Sequence, residues 1–277
     1  MVSYRRPRSL EEALQVLGNE PDMRIIAGGT DVYPALGQAA VRARLLDITG
    51  IAGLTDITLD DGGLTIGALA TWRDLQRAAL PAGYAALQQA GREVGSVQIQ
   101  NAATVAGNVV NASPAADGTV ALMALDAQVR IAGAQGMRQV ALADFVTGVR
   151  QVALAPGELV TALHLPPAPG RSAFRKLGAR KYLVISIVMV AAHVLTDDTG
   201  AITDAAVAVG ACSPVARRLP ALEAALTGAR AGDLADLVRG DLIEGLAPID
   251  DVRAGADYRA DAVPVLIRRA LAAAMED

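Results

Sequence analysis

Cysteine occurs once in this chain, lysine and histidine twice each, and aromatic side chains make up only 3% of it. The single cysteine, Cys212, excludes an intrachain disulfide and any all-cysteine metal or cluster site. It reads as a packed thiol, and the expected compartment is the cytoplasm. His164 and His193 stand in strand-like contexts without ligand spacing, so both are expected as core or edge residues and no metal site is expected. No Ser-His-Asp or Cys-His grouping is legible. No run reaches the ~18 uncharged apolar residues of a membrane span. The longest, Tyr182 to Leu195, contains His193 and is followed by Asp197-Asp198, as a buried strand would be. The opening residues Met1-Val2-Ser3-Tyr4-Arg5-Arg6-Pro7 carry no apolar segment of the signal-peptide kind. A net charge of −4 argues against general nucleic-acid binding. There is no G-x-G-x-x-G after a strand and no Walker lysine.

What is present is an aliphatic chain of 277 residues, 52% hydrophobic, long enough for one large domain or two modest ones. Ser9-Leu10-Glu11-Glu12 has capping-box spacing. Leu10, Ala13, Leu14 and Leu17 follow at helical intervals, with Gly18 as the expected stop. Ile25 to Ala27 and Leu45 to Ile48 read as short buried strands flanking a helical segment, a small βαβ unit. Thr55 to Leu59 and Leu64 to Gly67 form a hairpin around Asp60-Asp61-Gly62-Gly63. Helices are expected from Thr71 to about Ala79, from Tyr84 to about Val94, and from Asp117 to Leu125. Strands follow at Gln128 to Ile131, Gln139 to Leu142 and Glu158 to Leu165.

Two stretches stand out. In Arg24-Ile25-Ile26-Ala27-Gly28-Gly29-Thr30-Asp31 a strand stops at paired glycines followed by a hydroxyl and a carboxylate. Without two Cβ atoms the backbone can take positive φ and offer its N–H groups to an anion. Thr30 or Asp31 can cap a short helix there. The motif suits a pyrophosphate cradle as well as an ordinary tight turn. The second stretch, Gln98 to Asp117, reads as neither a helix nor an alternating strand. Its amides and hydroxyls must find partners if buried, either in a cofactor rich in donors and acceptors or in the backbone of buried turns.

Pro166-Pro167-Ala168-Pro169-Gly170 is the strongest linker and marks an expected domain boundary. Beyond it, Phe174 to Leu177, Ile185 to Leu195 and Ile202 to Val209 read as strands. Leu219 to Leu226, Leu234 to Leu242 and Ala262 to Met275 read as helices. Both lysines, Lys176 and Lys181, fall in a basic cluster from Arg171 to Lys181. That cluster reads as a solvated face or as a site for an anion or partner.

Together the two stretches make the chain resemble the FAD-binding (medium) subunits of molybdenum hydroxylases, the xanthine and carbon monoxide dehydrogenase family. Ala27-Gly28-Gly29-Thr30-Asp31 matches the first flavin loop of that family. Thr104-Val105-Ala106-Gly107-Asn108, with Asn111-Ala112-Ser113-Pro114-Ala115-Ala116-Asp117, matches the second. The resemblance covers essentially the whole chain. It implies an α+β protein: a PCMH-type FAD-binding domain over 1–168, with subdomains of about 1–54 and 55–168, then a smaller α+β domain over 171–277. It implies FAD as cofactor, with Ile25, Ile26, Ala27, Gly28, Gly29, Thr30 and Asp31 in its site and the N–H groups of Ala27 to Asp31 at the pyrophosphate. Ala106 and Gly107 would also bind the cofactor, with Thr104 and Asn108 hydrogen-bonding its phosphate–ribityl portion and Asp117 a polar group of it. Lys176 falls where the family places a basic residue near the flavin.

The implied role is electron relay. FAD would receive electrons from the [2Fe-2S] clusters of a small partner subunit, while a large subunit carries the molybdenum cofactor and hydroxylates the substrate. The implied assembly is a heterotrimer or its dimer, and no catalytic side chain is assigned to this chain. Two departures from the family pattern matter: Ala106 where many members have glycine, and Val184 where many have aspartate. One cysteine excludes the subgroup with an extra cluster in this subunit. The competing expectations are a stand-alone flavoprotein oxidoreductase of the same fold and a non-enzymatic assembly module with a degenerate site.

Overall fold

The computed structural model describes residues 3–36 and 44–276. Outside them lie 1–2, the start of the segment inspected for a signal peptide, residue 277, and 37–43 of the connection between the first two predicted strands. The fold is α+β. Its first layer contains β1 (Ser3–Arg5), α1 (Leu10–Asn19), β2 (Arg24–Ile26), α2 (Val32–Leu36) and β3 (Arg44–Asp47). The strands form a parallel sheet in the order β1-β3-β2. Ser9 caps α1 by accepting the Glu12 N–H. The Glu12 carboxylate reaches back one residue further than predicted, to the Arg8 N–H at 2.8 Å. Gly18 does not stop the helix: the Glu20 N–H still bonds the Val16 carbonyl. Ala13 and Leu17 are buried against Met23, Leu46 and Ile48.

The second layer begins with the predicted hairpin, β4 (Ile57–Asp60) and β5 (Gly63–Gly67). Then come α3 (Trp72–Arg77), with a Thr71–Asp74 capping box, and α4 (Ala85–Glu93). The stretch expected to be irregular is instead two short helices, α5 (Val97–Ala102) and α6 (Val105–Val110). Each is nucleated by a hydroxyl: Ser96 Oγ accepts the Ile99 N–H and Thr104 Oγ1 accepts the Gly107 N–H. Six residues are too few to display a helical hydrophobic period, and isolated helices of that length are unstable without tertiary support. The buried Gln100 amide donates to the Arg92 and Val94 carbonyls, so the chain itself satisfies that polar group.

Helix α7 (Asp117–Ala124) is buried on every side, as a helix with no polar face must be. The layer closes with β6 (Gln128–Gly133), β7 (Gly136–Ala141), α8 (Leu142–Phe145), a small hairpin of β8 (Val146–Gly148) and β9 (Gln151–Val152), and β10 (Leu159–Leu165). Its sheet is antiparallel, ordered β4-β5-β10-β6-β7.

After the proline-rich stretch, β11 (Arg171–Leu177), β12 (Val188–Thr196), β13 (Ile202–Gly210) and β14 (Arg217–Arg218) form an antiparallel sheet in sequence order. Met189 and Ala191 turn to one face and join the core of Trp72, Val120 and Leu122. Val188, Val190 and Ala192 turn to the other. Burial on both faces explains why this strand is an almost unbroken apolar run. Helices α4 and α7 cover the first face; α9 (Pro220–Leu226) and α11 (Ala256–Met275) cover the second. The apolar core is thus continuous across the linker. Between them, α10 spans only Leu234–Leu237, and Gly240 begins a separate turn where one helix was expected. Helix α11 starts six residues earlier than expected, with Pro264 inside it. Among the described residues no helix is long and apolar enough to cross a membrane.

Candidate functional site

The two glycine-bearing loops, far apart in sequence, meet. Gly28 lies so close to the end of α5 that a Cβ built on it would stand 1.9 Å from the Ala102 carbonyl oxygen. Gly29 sits at φ +69°, the left-handed region that glycine alone occupies freely. Between the loops opens a cleft of about 390 Å³. Ile25, Ala27, Gly28, Gly29, Thr30 and Asp31 line one wall; Thr104, Ala106, Gly107 and Asn108 line the other.

The polar atoms of the cleft are ready for a ligand. Among the described residues, the backbone N–H groups of Gly28, Gly29, Thr30 and Asp31 donate to no backbone carbonyl. Asn108 Oδ1 is buried and has no hydrogen-bond partner. A native fold leaves few such groups unpaired, because each carries a desolvation cost of about 1–3 kcal/mol. Thr104 Oγ1 accepts the Gly107 N–H, which leaves its hydroxyl hydrogen free to donate. Ala106, the departure from glycine, is buried in α6 on the cleft wall.

Sequence reading did not single out several of these residues. Val94, Ile99, Ile48 and Val160 give the cleft apolar walls. At the rim, Asp31 Oδ1 accepts from Asn111 Nδ2 at 2.8 Å, and Arg150 donates to the Asn111 carbonyl at 3.1 Å. Arg150 carried no local motif and arrives from the β8–β9 turn.

Three predicted site residues do not line the cleft. The Ile26 side chain is buried beneath it. Asp117 and Lys176 face each other behind it, with Nζ 2.6 Å from Oδ2 and both side chains 7% exposed. Ser186 Oγ donates to the other Asp117 oxygen at 2.6 Å, and Lys176 also donates to the Glu93 carbonyl at 3.3 Å. Burial pushes the Asp117 carboxyl up from its ordinary value, against the opposing pull of the Lys176 ammonium and the Ser186 hydroxyl. Beyond the Asn111–Asp117 segment lies a second, apolar groove of about 910 Å³, lined by Pro114, Leu183, Ile185, Ile249 and Val252. Val184, the departure from aspartate, also lines this groove, with Arg180, Asp251 and Arg253.

The remaining candidates carry no site chemistry. Cys212 is buried, and burial lifts its thiol to about 11. His193 is buried and bonds the Pro169 carbonyl, while His164 is half-buried beside Thr65. Among the described residues no group of three metal-ligating side chains comes together.

Comparison with known proteins agrees with this geometry. Residues 1–168 match the family described as the FAD binding domain in molybdopterin dehydrogenase, and residues 172–274 match the CO dehydrogenase flavoprotein C-terminal domain. The xanthine dehydrogenase FAD-binding subunit of Escherichia coli O157:H7 is 30% identical over 99% of this chain and 96% of its own. The nicotinate dehydrogenase FAD-subunit of Eubacterium barkeri is 34% identical over 80% of this chain and 78% of its own. A chain in the crystal structure of quinoline 2-oxidoreductase from Pseudomonas putida 86 superimposes with a TM-score of 0.91. It is 28% identical, and the match covers 99% of this chain and 97% of that one.

Proposed function

We infer the role of this chain from its family, for it belongs to the FAD-binding subunits of the molybdopterin dehydrogenases, with FAD as its cofactor. Its part is that of an oxidoreductase component. The observation that carries the finer reading is the meeting of two loops around unpaired backbone N–H groups. In this reading the N–H groups of Ala27 to Asp31 hold the pyrophosphate, and the absent side chains of Gly28 and Gly29 let it approach. Thr104 donates its hydroxyl hydrogen to the phosphate–ribityl portion, and Asn108 offers its unpaired Oδ1 as an acceptor for a ribityl hydroxyl. Val94 and Ile99 keep water from that part of the cleft. Asp117 and Lys176 brace the start of α7 against β11, behind the site. The apolar groove beside Pro114 and Leu183 offers a flat ring a place away from water.

When bound, FAD supplies the redox chemistry, taking electrons from [2Fe-2S] clusters of a small partner subunit and giving them to an external acceptor. The chain contributes binding, orientation and exclusion of water. Its partners in this reading are that small subunit and a large molybdenum-cofactor subunit, in a heterotrimer or its dimer. We propose residues 1–168 as the FAD-binding domain, divided near residue 54, and 171–277 as the smaller domain.

The test is purification of the full chain alone and together with its partners. Expected are one FAD per chain, seen by its visible absorption, and no hydroxylation of a heterocyclic substrate by the single chain. Hydroxylation or oxidase turnover without partners would overturn the relay reading and favour a stand-alone flavoprotein.

A further inference from the structure

A third cavity, of about 630 Å³, opens between the C-terminal end of α4 and the end of β11. It shares no lining residue with the glycine-loop cleft. Arg92, Arg175, Arg180 and Lys181 surround it, with Glu93 as the one carboxylate among its lining residues. Among the described residues none of those four cations is in a salt bridge. Two of them are held in place by neutral acceptors. Arg175 donates to the Phe174 carbonyl at 2.9 Å and to Gln89 Oε1 at 3.4 Å; Arg180 donates through Nε to the Leu183 carbonyl at 3.1 Å. Lys176, the fifth cation, is spoken for by Asp117. Both lysines of a chain with net charge −4 are therefore gathered at this one concavity.

Four positive side chains around one hollow repel each other unless an anion enters. Carbonyl and amide acceptors orient two guanidinium groups without neutralising them, leaving N–H donors for a second set of bonds. Arginine forks match phosphate oxygens in pairs, and the volume falls in the range of small-molecule sites. We propose that this cavity binds a diphosphate-bearing small molecule, separately from and in addition to FAD. The argument uses none of the glycine-loop cleft residues, and of the four cations Arg180 alone also lines the apolar groove beside Leu183.

The test is calorimetric titration of the FAD-loaded full chain with inorganic pyrophosphate and, separately, with ADP. One site per chain, weakened by added salt, is expected. Equal affinities would assign a free anion, and tighter ADP binding a nucleotide. Arg92→Ser and Lys181→Ser, at exposed residues whose side chains make no hydrogen bond among the described residues, should each weaken binding about tenfold, with flavin content and thermal unfolding unchanged. The proposal is overturned if neither probe binds, if both variants bind like the parent, or if pyrophosphate binds only to chain stripped of FAD.

Discussion

Lys176 Nζ stands 2.6 Å from Asp117 Oδ2, and this contact ties the first residue of α7 to strand β11 across the proline-rich linker. Both groups are nearly out of water, and Ser186 takes up the second carboxylate oxygen. The pair is thus a bolt between sequence regions that the linker separates.

Breaking the bolt from one side leaves an uncompensated buried charge. Lys176→Met or Asp117→Asn alone should therefore cost about 3–5 kcal/mol. The double variant Asp117→Asn/Lys176→Met removes both charges and should recover most of that loss. Urea denaturation of the four proteins measures the coupling directly. A loss in the double equal to the sum of the two single losses would show that the two groups are not coupled and that the ion pair itself contributes nothing.

Much of this arrangement was legible in the sequence, and the failures have physical causes. The Ile25–Asp31 loop was readable as a turn because paired glycines after an apolar run end a strand, while its meeting with the end of α5 was not. The Thr71 helix and the Asp60–Gly63 hairpin were readable because caps and turns act locally. Helices α5 and α6 were not, since six residues hide their period and tertiary contacts supply their stability. The early start of α11 was hidden too, behind Pro264. Arg259 in its first turns is fully buried and reaches the Ile187 and Ala211 carbonyls and Asp251. That long-range bonding is invisible in a linear reading. Lys176 and Asp117 were both picked out, but nothing in their spacing said that they would find each other rather than line the cleft.

Gly28 separates the two loops by nothing more than a hydrogen atom. Gly28→Ala must move the Ala102 carbonyl or the loop itself, because the new Cβ would sit 1.9 Å from that oxygen. The purified variant should carry little or no FAD. Gly18→Ala is the control: no neighbouring atom lies within 4 Å, and the residue is inside α1. It should keep full FAD content and gain about 0.5–1 kcal/mol of stability. Flavin absorption and thermal unfolding distinguish the two outcomes.

Asn108 separates binding from folding. Its Oδ1 is buried and unpaired without a ligand, so Asn108→Ala removes a desolvated group as well as a potential ligand contact. Stripped of FAD, the variant should be at least as stable as the parent. Its affinity for FAD should fall by about 1–2 kcal/mol, roughly 5–30-fold. Fluorescence titration with FAD reads the affinity, and denaturation of the stripped protein reads the stability. A variant that loses stability without losing affinity would make Asn108 a packing residue only.

His193 sets a pH limit on the sheet after the linker. Burial lowers its affinity for a proton, and Arg218 adds to that, while the Pro169 carbonyl, Asp204 and Asp126 pull the other way. The folded chain therefore holds the ring neutral at pH values where the unfolded chain has already protonated it. Its contribution to stability is complete above the unfolded value of about 6.5 and is lost as pH falls through the lower folded value. The midpoint of thermal unfolding should thus decline between about pH 7.5 and pH 5.5. His193→Gln, which can still donate to the Pro169 carbonyl but cannot titrate, should flatten that decline. His164 is also shifted down but is more exposed, so His164→Gln should change the slope less. An identical pH dependence in parent and His193→Gln would assign the decline to other groups.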